Sequence, residues 1–204
     1  MLVGGGGGPN AVLLTLYTDA FVVRGQIPSR HRRVTDILNS AEEPFLVLHD
    51  VTTDEFGTKG ETIKAEYAQV NLATVLFAVV DTPIDPMPEL RSPKIEQQAR
   101  IAVPPFRIVG NIHLLPIGDA RAGLTELQGR FIPVTDATFW SDSLGEARQT
   151  ALVVAINHAR AQILTPHVEV DPWAGLGLST PTEGEGDAGE PSPPTEPPPA
   201  DLGW

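Results

Sequence analysis

The chain has 204 residues, an apolar fraction of 41%, no cysteine and a formal net charge of −12. The lack of cysteine excludes disulfides, thiol catalysis and cysteine-ligated metals. The acidic balance disfavours general DNA binding, which rests on Lys and Arg displacing phosphate counterions, and no run approaches the roughly 20 apolar residues that span a bilayer.

The chain opens on Met1-Leu2-Val3 and Gly4–Gly8, with neither the basic start nor the apolar stretch of a signal peptide. The expectation is a flexible N-terminus over residues 1–10 and, by default, a cytoplasmic protein without a membrane span. Val12 to Tyr17 reads as a strand, Thr18-Asp19 as a turn, and Phe21 to Ile27 as a returning strand with strict alternation. Phe21, Val23, Gly25 and Ile27 are expected to face one way, and Val22, Arg24 and Gln26 the other.

A basic stretch, Arg30-His31-Arg32-Arg33, leads into Val34 to Asn39, whose apolar spacing suits one or two turns of helix. Phe45 to Leu48 reads as a buried strand ending at His49-Asp50, and Thr52 to Lys64 as an exposed loop with Gly57 and Gly60. Ala73 to Val80 is apolar enough to be covered on both faces. Pro83, Pro86, Pro88 and Pro93 then exclude a helix or a central strand, so residues 83–98 read as a linker.

Beyond the linker the pattern returns. Phe106, Ile108, Gly110 and Ile112 repeat Phe21, Val23, Gly25 and Ile27 at a constant offset of 85. Phe131, Ile132, Val134, Asp136 and Thr138 repeat Phe45, Leu46, Leu48, Asp50 and Thr52 at an offset of 86. Thr150 to Ile156 is set on Ala73 to Val79, which makes Gln149 to Ile156 a strand although Ser141 to Leu164 has helix-like spacing. Asn157-His158 follows as a turn, with a short strand over Ala161 to Leu164.

The expected fold is therefore mainly β with short helices: two tandem copies of a small, strand-rich, barrel-like unit, over residues 11–82 and 99–173. Residues 174–204 hold six of the acidic residues and no Lys or Arg. With almost nothing to bury there, a disordered acidic, Pro-rich tail is expected.

Arg30, Arg32 and Arg33 form the candidate ligand-binding cluster, because clustered guanidinium groups bind phosphate in a bidentate way. Together with Asp50-Val51-Thr52-Thr53-Asp54-Glu55-Phe56-Gly57, the run partly resembles the arginine motif and downstream Asp-x-Ser-x-x-Gly of PilZ-type cyclic-dinucleotide receptors. Thr52 stands for the serine and Glu55 for the glycine, and no residue role is carried over. Gly25 and Gly110 also resemble the bent-strand glycine of LSm-type and SH3-like small barrels, a likeness of architecture that implies no activity.

Asp50 and Asp136 each follow a strand and precede a threonine by two residues, where a carboxylate fixes a strand-to-loop turn by accepting backbone N–H bonds. The five histidines form no H-E-x-x-H, no G-x-S-x-G is present, and no glycine-rich segment matches a P-loop. No catalytic residue, metal site or cofactor is expected. The functional expectation is a non-catalytic interaction or assembly protein that binds another protein or itself. The alternative is an anion, nucleotide or nucleic-acid sensor using the arginine cluster.

Overall fold

The computed structural model describes residues 11–28, 33–56, 61–80, 93–117 and 119–167. The expectations for the glycine-rich start, for Arg30 and Arg32, for the prolines at 83, 86 and 88, and for the tail beyond residue 173 fall outside them.

Among the described residues ten antiparallel strands form one open sheet: β1 (Ala11–Thr18), β2 (Phe21–Pro28), β3 (Phe45–Glu55), β4 (Ile63–Asn71), β5 (Val75–Val80), β6 (Ile95–Val103), β7 (Phe106–Leu114), β8 (Phe131–Ser141), β9 (Glu146–Asn157) and β10 (Ile163–Pro166). Two short helices, α1 (Val34–Asn39) and α2 (Ala120–Thr125), follow β2 and β7. The strand order is β10-β6-β7-β8-β9-β5-β1-β2-β3-β4. Where two barrel-like units were expected, the described residues show a continuous sheet with two ends. Its two stretches, β5-β1-β2-β3-β4 and β10-β6-β7-β8-β9, nevertheless list strands of corresponding chain position in the same sequence.

The opening hairpin forms where it was expected. Its turn is held by Thr18, whose hydroxyl oxygen accepts the Phe21 N–H and donates to the Phe21 carbonyl, both at 2.9 Å. From there β2 pairs with β3 through an irregular register: Gln26 lies opposite His49, but Arg24 lies opposite Thr52. Asp50 and Val51 thus share the single opposing Gly25, the two-against-one count of a β-bulge. The same happens in β7 and β8, where Asn111 opposes Thr135 and Val109 opposes Thr138 around Gly110, Asp136 and Ala137.

Asp50 and Asp136 take positive φ values of 50° and 49°, the left-handed region that aspartate enters more readily than branched residues. The strands continue beyond both residues, so each aspartate sets a bend inside a strand rather than a strand-to-loop turn. Thr52 to Glu55, expected in a loop, complete β3.

Three further elements escaped the sequence reading. β4 occupies Ile63–Asn71, α2 follows the region of Leu115 to Ile117, and β6 begins at Ile95, inside the stretch assigned to the linker. Moreover, β9 occupies the fifth and last place of its stretch, the place β4 takes in the other, whereas β5 corresponds in place to β10. The two segments set on each other as equivalent are in fact hydrogen-bonded neighbours, with Ala78 opposite Ala155.

Every residue of β5 is buried, because the strand lies between two cores. Leu76, Phe77 and Val79 join a core built mostly from β6, β7, β8 and β9, while Val75, Ala78 and Val80 join one built mostly from β1, β2, β3 and α1. Tyr17 and Phe77 stack at 4.4 Å between ring centroids, and both meet Phe106 edge-on at 5.4 and 5.1 Å. Such edge contacts suit the ring quadrupoles.

The expected faces of β2 hold in part. Val23 and Ile27 are buried and Arg24 is exposed, but Val22 is buried too, in the other core. Phe21, expected inside, is 41% exposed, whereas Phe106 is 1% exposed.

Candidate functional site

Two kinds of feature are candidates: a polar cluster beside the second bulge, and the seam between β5 and β9 together with the sheet edges that resemble it.

The polar cluster is centred on His113 of β7. Its Nε2 lies 3.1 Å from the Thr135 hydroxyl on β8. Two residues earlier on β7, Asn111 Nδ2 donates to Asp136 Oδ2 at the long distance of 3.5 Å. Burial holds the His113 imidazole below its ordinary range, since desolvation penalises the charged ring. Glu96 and Asp136 act against this, and Lys94 and Arg33 reinforce it.

Arg33, the one described member of the arginine cluster, is the N-cap residue of α1, and its carbonyl accepts the N–H groups of Asp36 and Ile37 at 3.0 and 3.1 Å. It and Asp136 thus both act on His113, whereas Asp50 belongs to the other bulge. Among the described residues no three His, Asp or Glu side chains converge on a metal-sized site.

The first bulge carries a different pairing. Arg24 Nη1 donates to Asp54 Oδ2 at 2.6 Å, and Thr62 donates to Asp54 Oδ1 at 2.6 Å. The bonds from Thr62 and then Arg24 hold the partly exposed Asp54 carboxyl below the usual carboxylate range.

The seam is the better-built feature. β5 and β9 are joined by four opposed pairs, from Phe77 and Ile156 to Val80 and Val153. Asn157, 2% exposed, ends β9 and donates Nδ2 to the carbonyls of Leu72 and Val75 at 3.2 and 2.8 Å, while its Oδ1 accepts the Ala159 N–H. Asn39, the last residue of α1, grips the Phe131 backbone from both sides: Oδ1 accepts the N–H at 2.7 Å and Nδ2 donates to the carbonyl at 2.9 Å. Arg160 forms an ion pair with Asp19 across the same boundary.

None of these polar seam residues was singled out from sequence. A signal for one of them was present: Asn71-Leu72-Ala73 and Asn157-His158-Ala159 share an Asn-x-Ala pattern at an offset of 86. In both, the Asn Oδ1 accepts the N–H two residues on, at 2.9 Å for Ala73 and 3.2 Å for Ala159. Setting Thr150 to Ile156 on Ala73 to Val79 hid it.

Among the described residues the two ends of the sheet are β4 and β10. β4 occupies the same place in its stretch as β9, and β10 the same place as β5. Tyr67 of β4 is 69% exposed and Ile163 of β10 is 58% exposed. No family model, curated protein or solved structure matches the chain. No helix among the described residues is long and apolar enough to cross a membrane.

Proposed function

We propose that this chain is a non-catalytic assembly protein built from a duplicated small β unit, which engages its partner by adding strands at the ends of its sheet. The observation that carries the reading is the pair of open edges. Among the described residues, β4 and β10 have a strand on one side only and carry exposed apolar side chains, the features through which β-proteins recruit a further strand.

Support for the duplication comes from the matching strand orders, the two bulges with Gly25 against Asp50 and Gly110 against Asp136, and the near-identical positive φ of the two aspartates. One-residue slips reverse the in/out pattern of a strand, so a bulge kept at the same place in both stretches speaks for matched register.

The test is affinity purification from the native host with the intact chain and with Tyr67→Lys as baits. A charge on an edge strand discourages strand addition while leaving an exposed site folded. Partners recovered with the intact chain and lost with Tyr67→Lys are the expected result. A partner set indifferent to the substitution, but lost on replacing Arg30, Arg32 and Arg33 together by serine, would shift the reading to an anion-sensing domain.

A further inference from the structure

Three positions of the first stretch differ from their counterparts in the second in one consistent way. Phe21 is 41% exposed, where Phe106 is 1% exposed; Phe45 is 42% exposed, where Phe131 is fully buried. Asn71 and Asn157 make the same local turn, yet Asn157 also donates to the carbonyls of Leu72 and Val75, while Asn71 Nδ2 has no partner among the described residues.

The cause is visible in what covers the second set. Phe106 is packed by Tyr17 and Phe77, Phe131 lies in the core of β1, β2 and β3 with its backbone held by Asn39, and Asn157 bonds the segment before β5 and the start of that strand. All of these covering groups come from the other side of the seam. The first stretch presents the same receiving surface beside β4, with nothing of this chain set against it among the described residues.

The other edge carries a counterpart of the covering side. Tyr17 opposes Phe77 and Thr15 opposes Val79 in the pairing of β1 with β5; Ala102 opposes Ile163 and Arg100 opposes Thr165 in the pairing of β6 with β10. β10 therefore stands on β6 as β5 stands on β1, and its four residues match the four pairs of the seam.

We propose that a second copy of this chain docks β10 against β4 of the first, head to tail, repeating the β5·β9 seam between molecules. Transferring the seam register sets Ile163 opposite Val70, Leu164 opposite Gln69, Thr165 opposite Ala68 and Pro166 opposite Tyr67. Ile163 then approaches Phe21 as Phe77 approaches Phe106. Because the two edges are different, each docking leaves one β4 and one β10 free, so the contact propagates until a ring closes or a filament extends. Pro166 lacks an N–H, which limits the new ladder at that end.

The inference rests on the assembly reading and names its partner. It is tested with two single-cysteine forms of the full chain, Ala68→Cys and Thr165→Cys, in a protein that has no cysteine of its own. Opposed residues of antiparallel strands lie within disulfide range. On mild oxidation the mixed sample is expected to give a covalent dimer of one form with the other, absent from each form alone. Replacing Ala68→Cys by Gln69→Cys in the mixture turns the thiol to the opposite face and should abolish the cross-link.

Sedimentation of the unmodified chain should show species larger than one chain, weakened at least tenfold by Phe21→Glu with Phe45→Glu; both sites are exposed and the melting curve checks that the fold is kept. Cross-linking of Ala68→Cys with itself would mean a symmetric pairing of β4 with β4 and would overturn the proposal. A monomer at all concentrations up to about 1 mM, a Kd worth only about 4 kcal/mol, would also overturn it. In that case, host partners still lost on Tyr67→Lys would leave the assembly reading standing.

Discussion

Phe131 and Phe45 start β8 and β3 and face Asn157 and Asn71 in corresponding pairs, but they experience different solvents. Phe131 is enclosed by the neighbouring stretch, so Phe131→Ala should cost about 3–5 kcal/mol, the range for a large aromatic lost from a core. Phe45→Ala, at a half-open site, should cost about 1 kcal/mol or less in the same chain. Urea unfolding of the two variants measures both. The sequence makes these residues look alike because it records the pattern within a unit, whereas the burial of Phe131 is conferred by residues of a different segment. His113 offers a second residue-level measurement. Burial holds its folded-state pKa below the ordinary imidazole value of about 6.5, so the unfolded chain takes up the proton first as pH falls. Stability should therefore decline as pH drops below about 6.5 and level off once the folded ring is also protonated. In His113→Gln that segment of the profile should flatten, as followed by thermal unfolding across pH.

At the scale of elements, the bulges explain which parts of the fold were legible. Gly25 and Gly110 could be read as bend markers because a glycine in an alternating strand has few other uses. What could not be read is that the bend keeps the strand going, so that β3 and β8 each run to 11 residues. An added Cβ at Gly110 would sit 2.7 Å from Val134 Cγ1 and 2.9 Å from the Thr135 carbonyl oxygen; at Gly25 the nearest atoms are 3.0 and 3.1 Å away. Gly110→Ala should accordingly lose about 1–3 kcal/mol, the cost of overpacking, and Gly25→Ala less, as a difference in denaturation midpoint. β4 was missed because Val70 is the one buried residue of its nine and Lys64, Glu66 and Gln69 break up the apolar positions, so its alternation carries little hydrophobic signal. β6 was missed for a similar reason, its first residues Ile95 to Gln98 being mainly polar and adjacent to prolines. The helix over Val34–Asn39 was legible from its apolar spacing alone, and α1 matches it.

For the molecule as a whole, the decisive fact is that β5 serves two cores. A division at the linker yields residues 11–80 with Leu76, Phe77 and Val79 stripped of the side chains that cover them. The fragment is expected to sediment as oligomers or aggregates with weak near-ultraviolet dichroism, and separate addition of residues 93–167 should restore the signal of the intact chain. A fragment that melts cooperatively as a monomer would contradict the dependence of β5 on β9. The candidate site was legible only at this scale and only in part: a repeated pattern suggests two units, but which strand of one meets which strand of the other is decided by backbone pairing that side-chain periodicity does not encode. The same strand has a bearing on synthesis. β5 is complete when residue 80 has been made, yet the last residue of its partner strand is Asn157. At about 5–20 residues per second, a ribosome leaves that apolar edge without its neighbour for roughly 4–15 s. Nascent chains stalled in this interval are expected to be the most aggregation-prone form of the protein.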